Sequence, residues 1–352
     1  MNYKDCLSDK RIPVPTPNDI CDENGKCYFG TFDKEFPQMN FMNVHKQSPF
    51  LPDFLNRFRY TCWEAVEVTL PDIILLTAVC NMGIFGTSLT IVYDKKTRKK
   101  IACQEMMLPQ QAVMAPTIMN GDTCYSQSII NRVNIKNNFE NGKAYVKGRT
   151  IKSECKIKYN LELTRVSKPS VVMIPFGKNK PLYSQKDLFH SEGYVIVNGK
   201  KYETDKDSTA IIDDHRGYYP YKMHYDWVTT MGTNTVNGKK EFFGFNLTRN
   251  QSINQDDYNE NLIWFQGETS RVTPVYFHYD KPDCCHVYDD HGMVDLYYDI
   301  GDKHPMIMHL GIIDEDYTIT FGELRGFICD EDGNKYILDG MTAIGEDKSL
   351  RI

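Results

Sequence analysis

At 352 residues, with 41% hydrophobic and 25% charged residues, the chain has the composition of an ordinary globular protein and the length of two average domains. A formal net charge of −6 excludes a general nucleic-acid binder, because neutralising phosphates takes a surplus of lysine and arginine. Neither the polar N-terminal stretch MNYKDCLSDKRIPVPTPNDI nor any later window supplies the run of roughly eighteen apolar residues of a transmembrane segment, so a cytoplasmic location is expected.

Up to about residue 55 the chain is turn-rich and reads as an extended lead-in with short strands. Strands then follow one another: RYTCWEAVEVTL alternates, IILLTAVCNM has the apolar run of a buried strand, and TSLTIVYD leads into the turn KKTRKK. Glu140-Asn-Gly marks a hairpin, and Ile157, Tyr159, Leu161 and Leu163 define one face of the next strand. VVMIPFGKNKPLYSQKD has the proline and glycine density of a linker, which predicts a boundary near residue 182 and domains 1–182 and 183–352. Beyond it, Asn-Gly turns in SEGYVIVNGKKYETD and TNTVNGKKEFFGFNLT alternate with further strands such as MVDLYYDI and YTITFGELRGFI. The fold class expected is all-β, two antiparallel barrels or sandwiches side by side. Eleven cysteines, an odd number without the spacing of a disulfide framework, predict reduced thiols. The group Cys284, Cys285, His286 and His291 lacks zinc-site spacing, and no metal or cofactor is expected.

One stretch stands apart. DDHRGYYPYKMHYDW, Asp213 to Trp227, concentrates acids, histidines, an arginine and aromatics in a way that neither a core nor a solvated face requires. With GTF (Gly30 to Phe32), RYTCWEAVEV, VYDKKTRK, SQK (Ser184 to Lys186), GFNL, ENLIW (Glu260 to Trp264), ELRGFI and Gly345-Glu346, it resembles domain-of-unknown-function family 2804 over nearly the whole chain. That family is distantly similar to two-domain lipocalin-like proteins, among them carotenoid hydratases, fungal lipocalin-like cyclases and lipid-handling proteins. The resemblance implies two lipocalin-like barrels with a hydrophobic ligand near their junction. Where the family's ending places a tryptophan soon after the glutamate, this chain has Ser349, Leu350, Arg351 and Ile352, and no role is assigned to Glu346.

Period-two geometry sends Asp213 and Asp214 to opposite faces of a strand. Asp214, taken as the interior one, is a candidate proton donor with its pKa raised by desolvation, or else half of a structural ion pair with Arg216. His215 and His224 are candidate proton relays or structural residues. Tyr218, Tyr219 and Tyr221 around Pro220 could stack on a ligand or plug a barrel end. Trp227 and Trp264 could stabilise a carbocation or pack a core; Trp63 is a candidate ligand contact, and Glu64 beside it faces solvent or reaches across the domain interface. Glu260 and Asn261 enter an apolar strand and must find partners, Arg216 or Arg249 for the carboxylate. The expected partner is a small hydrophobic or amphipathic molecule. The expected chemistry is a cofactor-free hydration, isomerisation or cyclisation, with Asp214 or Glu260 as acid. A lipid carrier without catalysis and a glycoside hydrolase are the alternatives.

Overall fold

In the strand Asn131–Asn138 burial alternates residue by residue, with Asn131, Val133, Ile135 and Asn137 inside and Arg132 and Lys136 in solvent. That is the pattern of a sheet with one face on a core. The computed structural model describes residues 2–45, 52, 55, 58–236, 238–311 and 313–351. Most of the expected lead-in between residues 46 and 57, Asn237 of one Asn-Gly turn and Ile352 lie outside the described residues. Helical structure among the described residues is confined to short 3-10 turns such as Lys4–Cys6. No helix among them is long and apolar enough to cross a membrane.

Two sheets with antiparallel ladders carry the chain. The first runs edge to edge through Lys99–Met107, Gly86–Asp94, Ile73–Asn81, Tyr60–Thr69, Thr209–Tyr218, Pro181–Val197, Ile157–Arg165, Lys143–Thr150, Asn131–Asn138, Thr123–Ser126 and Ala112–Val113. It curls until its two sides meet: Thr90 Oγ1 donates to Asn131 Oδ1 at 2.9 Å, and Asn131 Nδ2 donates to the Cys103 carbonyl at 3.1 Å. The second runs through Glu268–Arg271, Leu262–Phe265, Lys239–Arg249, Lys222–Val236, Thr342–Arg351, Ile313–Cys329, Val294–Leu310, Cys284–Asp289 and Val275–Lys281. Arg249 spans its open side with a 3.2 Å bond to the Val275 carbonyl. The chain is therefore all-β, two near-closed barrels, each with its own apolar interior.

A third core lies between the barrels. Ala65, Leu76, Ile91 and Ile211 of the first sheet meet Trp227, Trp264, Ile319 and Phe321 of the second. This is why Thr209–Tyr218 is buried along almost its whole length: one face points into its barrel and the other against the neighbouring barrel. Gly217 is needed there because a Cβ would come within 2.2 Å of the Pro181 carbonyl oxygen on the paired strand.

The boundary expected near residue 182 and the change of sheet do not coincide. Gly177 to Lys180 is a hairpin turn, closed by Phe176 N–H to Lys180 O at 3.0 Å and Lys180 N–H to Gly177 O at 3.2 Å. It joins Val171–Pro175 to Pro181–Val197 within the first sheet, so its glycine and prolines mark a turn and not a linker. The chain changes sheet after Tyr218, and Lys222 opens the second. The motif Asp213 to Trp227 is thus the crossing between barrels, with Tyr219, Pro220 and Tyr221 as the connection.

Candidate functional site

Two rows of facing residues build a polar cluster on the first barrel. Antiparallel register sets Ser184 opposite His215 and His215 opposite Trp63; one step along, Lys186 faces Asp213 and Asp213 faces Ala65. All these side chains point to the space between barrels, because residues two apart on a strand share a face. From the second barrel, Trp227 pairs with Glu346 and Thr248, Tyr225 with Lys348, and Met223 with Leu350. Glu260 comes from the segment entering Leu262–Phe265, held by Asn246 Nδ2 on its carbonyl at 2.9 Å. Arg11 secures the same segment by donating to the carbonyl of Asn261 at 2.6 Å.

Between these rows lies a cavity of about 40 Å³. Trp63, Trp227, Met82, Met223, Tyr219 and Leu350 supply apolar wall; Lys186, Asp213, His215, Glu260 and Glu346 supply the charge-bearing groups. A neighbouring groove of about 270 Å³ shares Trp63, Cys80, Met82 and Lys348 with it and adds Met106, Met306 and Met308.

Lys186 is the hub. Its Nζ lies 2.8 Å from Glu260 Oε2, 2.7 Å from His215 Nε2 and 3.1 Å from Asp213 Oδ1. The Asp213 contact is ionic and not a directed hydrogen bond, since Oδ1 has no well-aligned donor. Because a lysine ammonium only donates, its bond to His215 requires Nε2 to accept. Ser184 Oγ donates to Glu260 and lies 2.9 Å from His215 Nε2. Burial works against charge on Lys186, but Asp213 and Glu260 outweigh it and hold the ammonium above its ordinary pKa. Burial likewise pushes Glu260 up, and the Lys186 ammonium overcomes that, holding the carboxyl well below its usual range.

Glu346 behaves in the opposite way. Burial raises its pKa, the nearby Asp213 charge adds to that, and the hydroxyls of Tyr317 and Tyr225 oppose it without cancelling it. Tyr225 donates to Oε2 at 2.9 Å and Tyr317 donates to Oε1. Lys348, beside them, is ion-paired with Glu315 at 2.8 Å and lies 4.3 Å from the Tyr317 ring centre.

Of the residues singled out in the sequence, Trp63, His215, Tyr219, Trp227 and Glu260 meet at this cavity. Trp63 Nε1 is buried and finds no hydrogen-bond partner among the described residues, and the Trp227 indole donates to Asn246. Asp213 and Asp214 do point to opposite faces, but it is Asp213 that lines the cavity. Asp214 sits inside the first barrel, gripped by Arg216 through Nε to Oδ1 at 2.7 Å and Nη2 to Oδ2 at 2.8 Å. Arg216 also donates to the carbonyls of Ala115 and Pro116, so neither residue reaches the cavity or Glu260. The partner of Glu260 is Lys186; Arg249 stacks on Tyr276. Tyr218 plugs the first barrel, its hydroxyl on the Phe41 carbonyl at 3.0 Å, and Tyr221 is 53% exposed. His224 lies on the surface between Ser349 and Asp226. Asn261 is structural, accepting from Thr248 N–H at 2.7 Å and donating to the Thr273 carbonyl at 3.1 Å. Trp264 belongs to the core between barrels. Glu64 faces neither solvent nor the neighbouring barrel: it lies within the first, taking a 2.7 Å bond from Asn137.

Ser184, Lys186, Asp213, Tyr225, Tyr317 and Glu346 join them around the cavity, although sequence reasoning assigns none of them a site role. The alternation in Ser184-Gln-Lys186 was the available signal, since it places a serine and a lysine on one face of the strand, between Leu182 and Leu188.

In fold the chain is similar to kievitone hydratase from Nectria haematococca, with a TM-score of 0.50, 10% identity, and 83% of this chain and 88% of that one covered. It is also similar to CghA in its structure with Sch210972, with a TM-score of 0.50, 7% identity and 98% of each chain covered. At such identities the likeness concerns the two-barrel fold alone. No curated protein matches the chain. Residues 11–352 match the family described as "Domain of unknown function (DUF2804)", and the chain belongs to that family.

Proposed function

We propose that the protein binds a hydrophobic or amphipathic small molecule between its barrels and acts on it by cofactor-independent acid–base chemistry: hydration, isomerisation or cyclisation at a carbon–carbon double bond. One observation carries this reading. Of the three buried carboxyls that line a single cavity, two are pushed apart by their surroundings, Glu346 upward and Glu260 downward. Such a split is how a site keeps one acid protonated and another ionised at the same pH.

In this reading Glu346, and not Asp214, delivers the proton, with Tyr225 and Tyr317 holding its carboxyl in place. Glu260 and His215 receive the proton lost by the substrate or by an attacking water, while Lys186 keeps Glu260 ionised and positioned. The faces of Trp63 and Trp227 stabilise positive charge developing between the two carboxyls. The cavity receives only the reacting end of the ligand. The rest lies in the adjoining groove, whose methionines adapt to irregular apolar shapes. That groove equally suits a carrier that binds without reacting. Glycoside hydrolysis would need a polar, sugar-sized cleft, unlike walls built from Met82, Met223 and Leu350.

The test is to identify the ligand that co-purifies with the protein by mass spectrometry and then incubate the two in heavy water. Catalysis predicts solvent deuterium in the ligand or its product, abolished by Glu346→Gln with the ligand still retained. Retention without deuterium incorporation by the wild-type protein would leave the carrier reading, and unchanged incorporation by Glu346→Gln would remove Glu346 from its role.

A further inference from the structure

We propose that the outer face of the first barrel docks on anionic lipid bilayers, through a row of cations bordered by exposed isoleucines. This does not depend on the chemistry proposed for the cavity. On the adjacent strands Asn131–Asn138, Lys143–Thr150 and Ile157–Arg165, alternation sends Val133, Val146 and Ile157 into the barrel and leaves the intervening residues outside. The register sets Arg132 directly opposite Arg149, and Arg149 directly opposite Lys158. Three cations therefore stand in one line across strands spaced about 5 Å apart. Lys147 follows in the next row, between Asn134 and Asn160. The four border a shallow depression of about 500 Å³.

Like charges placed directly opposite destabilise a sheet, so a row of them on a chain of net charge −6 calls for an external counter-charge. Among the described residues no carboxylate forms an ion pair with Arg132, Lys147, Arg149 or Lys158. The nearest acid on the same face of these strands is Glu162, two rows from Lys158, and Lys143 occupies it at 2.7 Å. Beside the row, Ile129 and Ile151 are 70% and 51% exposed. Ile151 N–H bonds the Ile130 carbonyl at 3.0 Å, which extends the ladder and puts Ile151 on the face that bears Arg149. Cations with adjoining aliphatic side chains match a bilayer surface, where the cations meet head groups and the isoleucines enter the acyl boundary. A soluble polyanion would leave both isoleucines in water.

Flotation of the full-length protein with vesicles of phosphatidylcholine, with and without phosphatidylserine, tests this. The protein should float only with the phosphatidylserine vesicles, and added salt should release it. Arg149→Glu with Lys158→Glu should lower the partition coefficient at least about tenfold. Ile129→Ser with Ile151→Ser should lower it as well, at unchanged charge. All four side chains are on the surface, so melting temperatures should stay those of the wild type. No flotation with phosphatidylserine, or undiminished flotation of the charge-reversed variant, would overturn the proposal. Displacement by soluble RNA with the isoleucine variant unaffected would overturn it too, assigning the face to a polyanion.

Discussion

Asp214→Asn separates a structural pair from a catalytic acid in a single experiment. Arg216 and Asp214 are both buried, joined by two parallel hydrogen bonds of 2.7 and 2.8 Å. The asparagine keeps the shape but removes the charge and turns one oxygen into a donor facing another donor. Arg216 then keeps, among the described residues, hydrogen bonds to the carbonyls of Ala115 and Pro116 and the electrostatic interaction with the Glu64 carboxyl, but no directly bonded anion. Stranding a buried charge in this way costs roughly 3 to 5 kcal/mol. At 2 to 4 °C per kcal/mol, a range typical of domains of 150 to 250 residues, the melting temperature should fall by roughly 10 °C. Because Asp214 lies outside the cavity, ligand retention and deuterium incorporation below the melting transition should be unchanged. Thermal and urea denaturation measure the first effect, mass spectrometry the second. A loss of less than about 1 kcal/mol together with abolished incorporation would refute the reasoning and restore Asp214 as the acid.

Two further substitutions probe buried charge through pH. Glu64 is pushed up to about 7, first by burial and then by the Asp214 charge, so the folded state holds its proton more tightly than the unfolded chain. Its contribution is complete below about 4.5 and is lost as pH rises through 7; Glu64→Gln should therefore be neutral at pH ~4.5 and stabilise by about 3 kcal/mol at pH ~8, as urea denaturation would show. Glu260 has the reverse sign, its depressed pKa giving stability above about 4.3 that is lost as pH falls. Lys186→Met removes the charge that holds Glu260 down, so the variant should lose roughly 3 to 5 kcal/mol near neutrality and regain part of it on acidification. Parallel stability–pH curves for wild type and Lys186→Met would contradict this.

The strands and hairpins were largely legible because they rest on local signals. Asn198 and Gly199 both take positive φ, 49° and 89°, the geometry an Asn-Gly hairpin turn selects. The division of the chain was not, because the glycine and prolines of a tight hairpin, Gly177 to Pro181, read the same as those of a linker. The motif Asp213 to Trp227 was found by its composition, and its crowding follows from its place: it carries the chain from the last strand of the first sheet to the first strand of the second, so its residues meet the interior of the first barrel and the space between the two. Periodicity gave the opposition of Asp213 and Asp214. It did not tell which face holds the cavity, because both faces of that strand are buried and each holds an ion pair. Lys186 and Glu346 escaped for another reason. Each becomes notable only through partners far away in sequence, Glu260 for the first and Tyr225 for the second.

The acid–base split is tested most directly by carbon-13 NMR titration of the protein labelled at the glutamate side-chain carboxyl carbon, with Glu346→Gln and Glu260→Gln identifying the two resonances. Glu346 should titrate above the ordinary glutamate value of about 4.3, and Glu260 should stay ionised until well below it. Glu346 titrating at or below the ordinary value, or Glu260 above it, would contradict the assignment of acid and base.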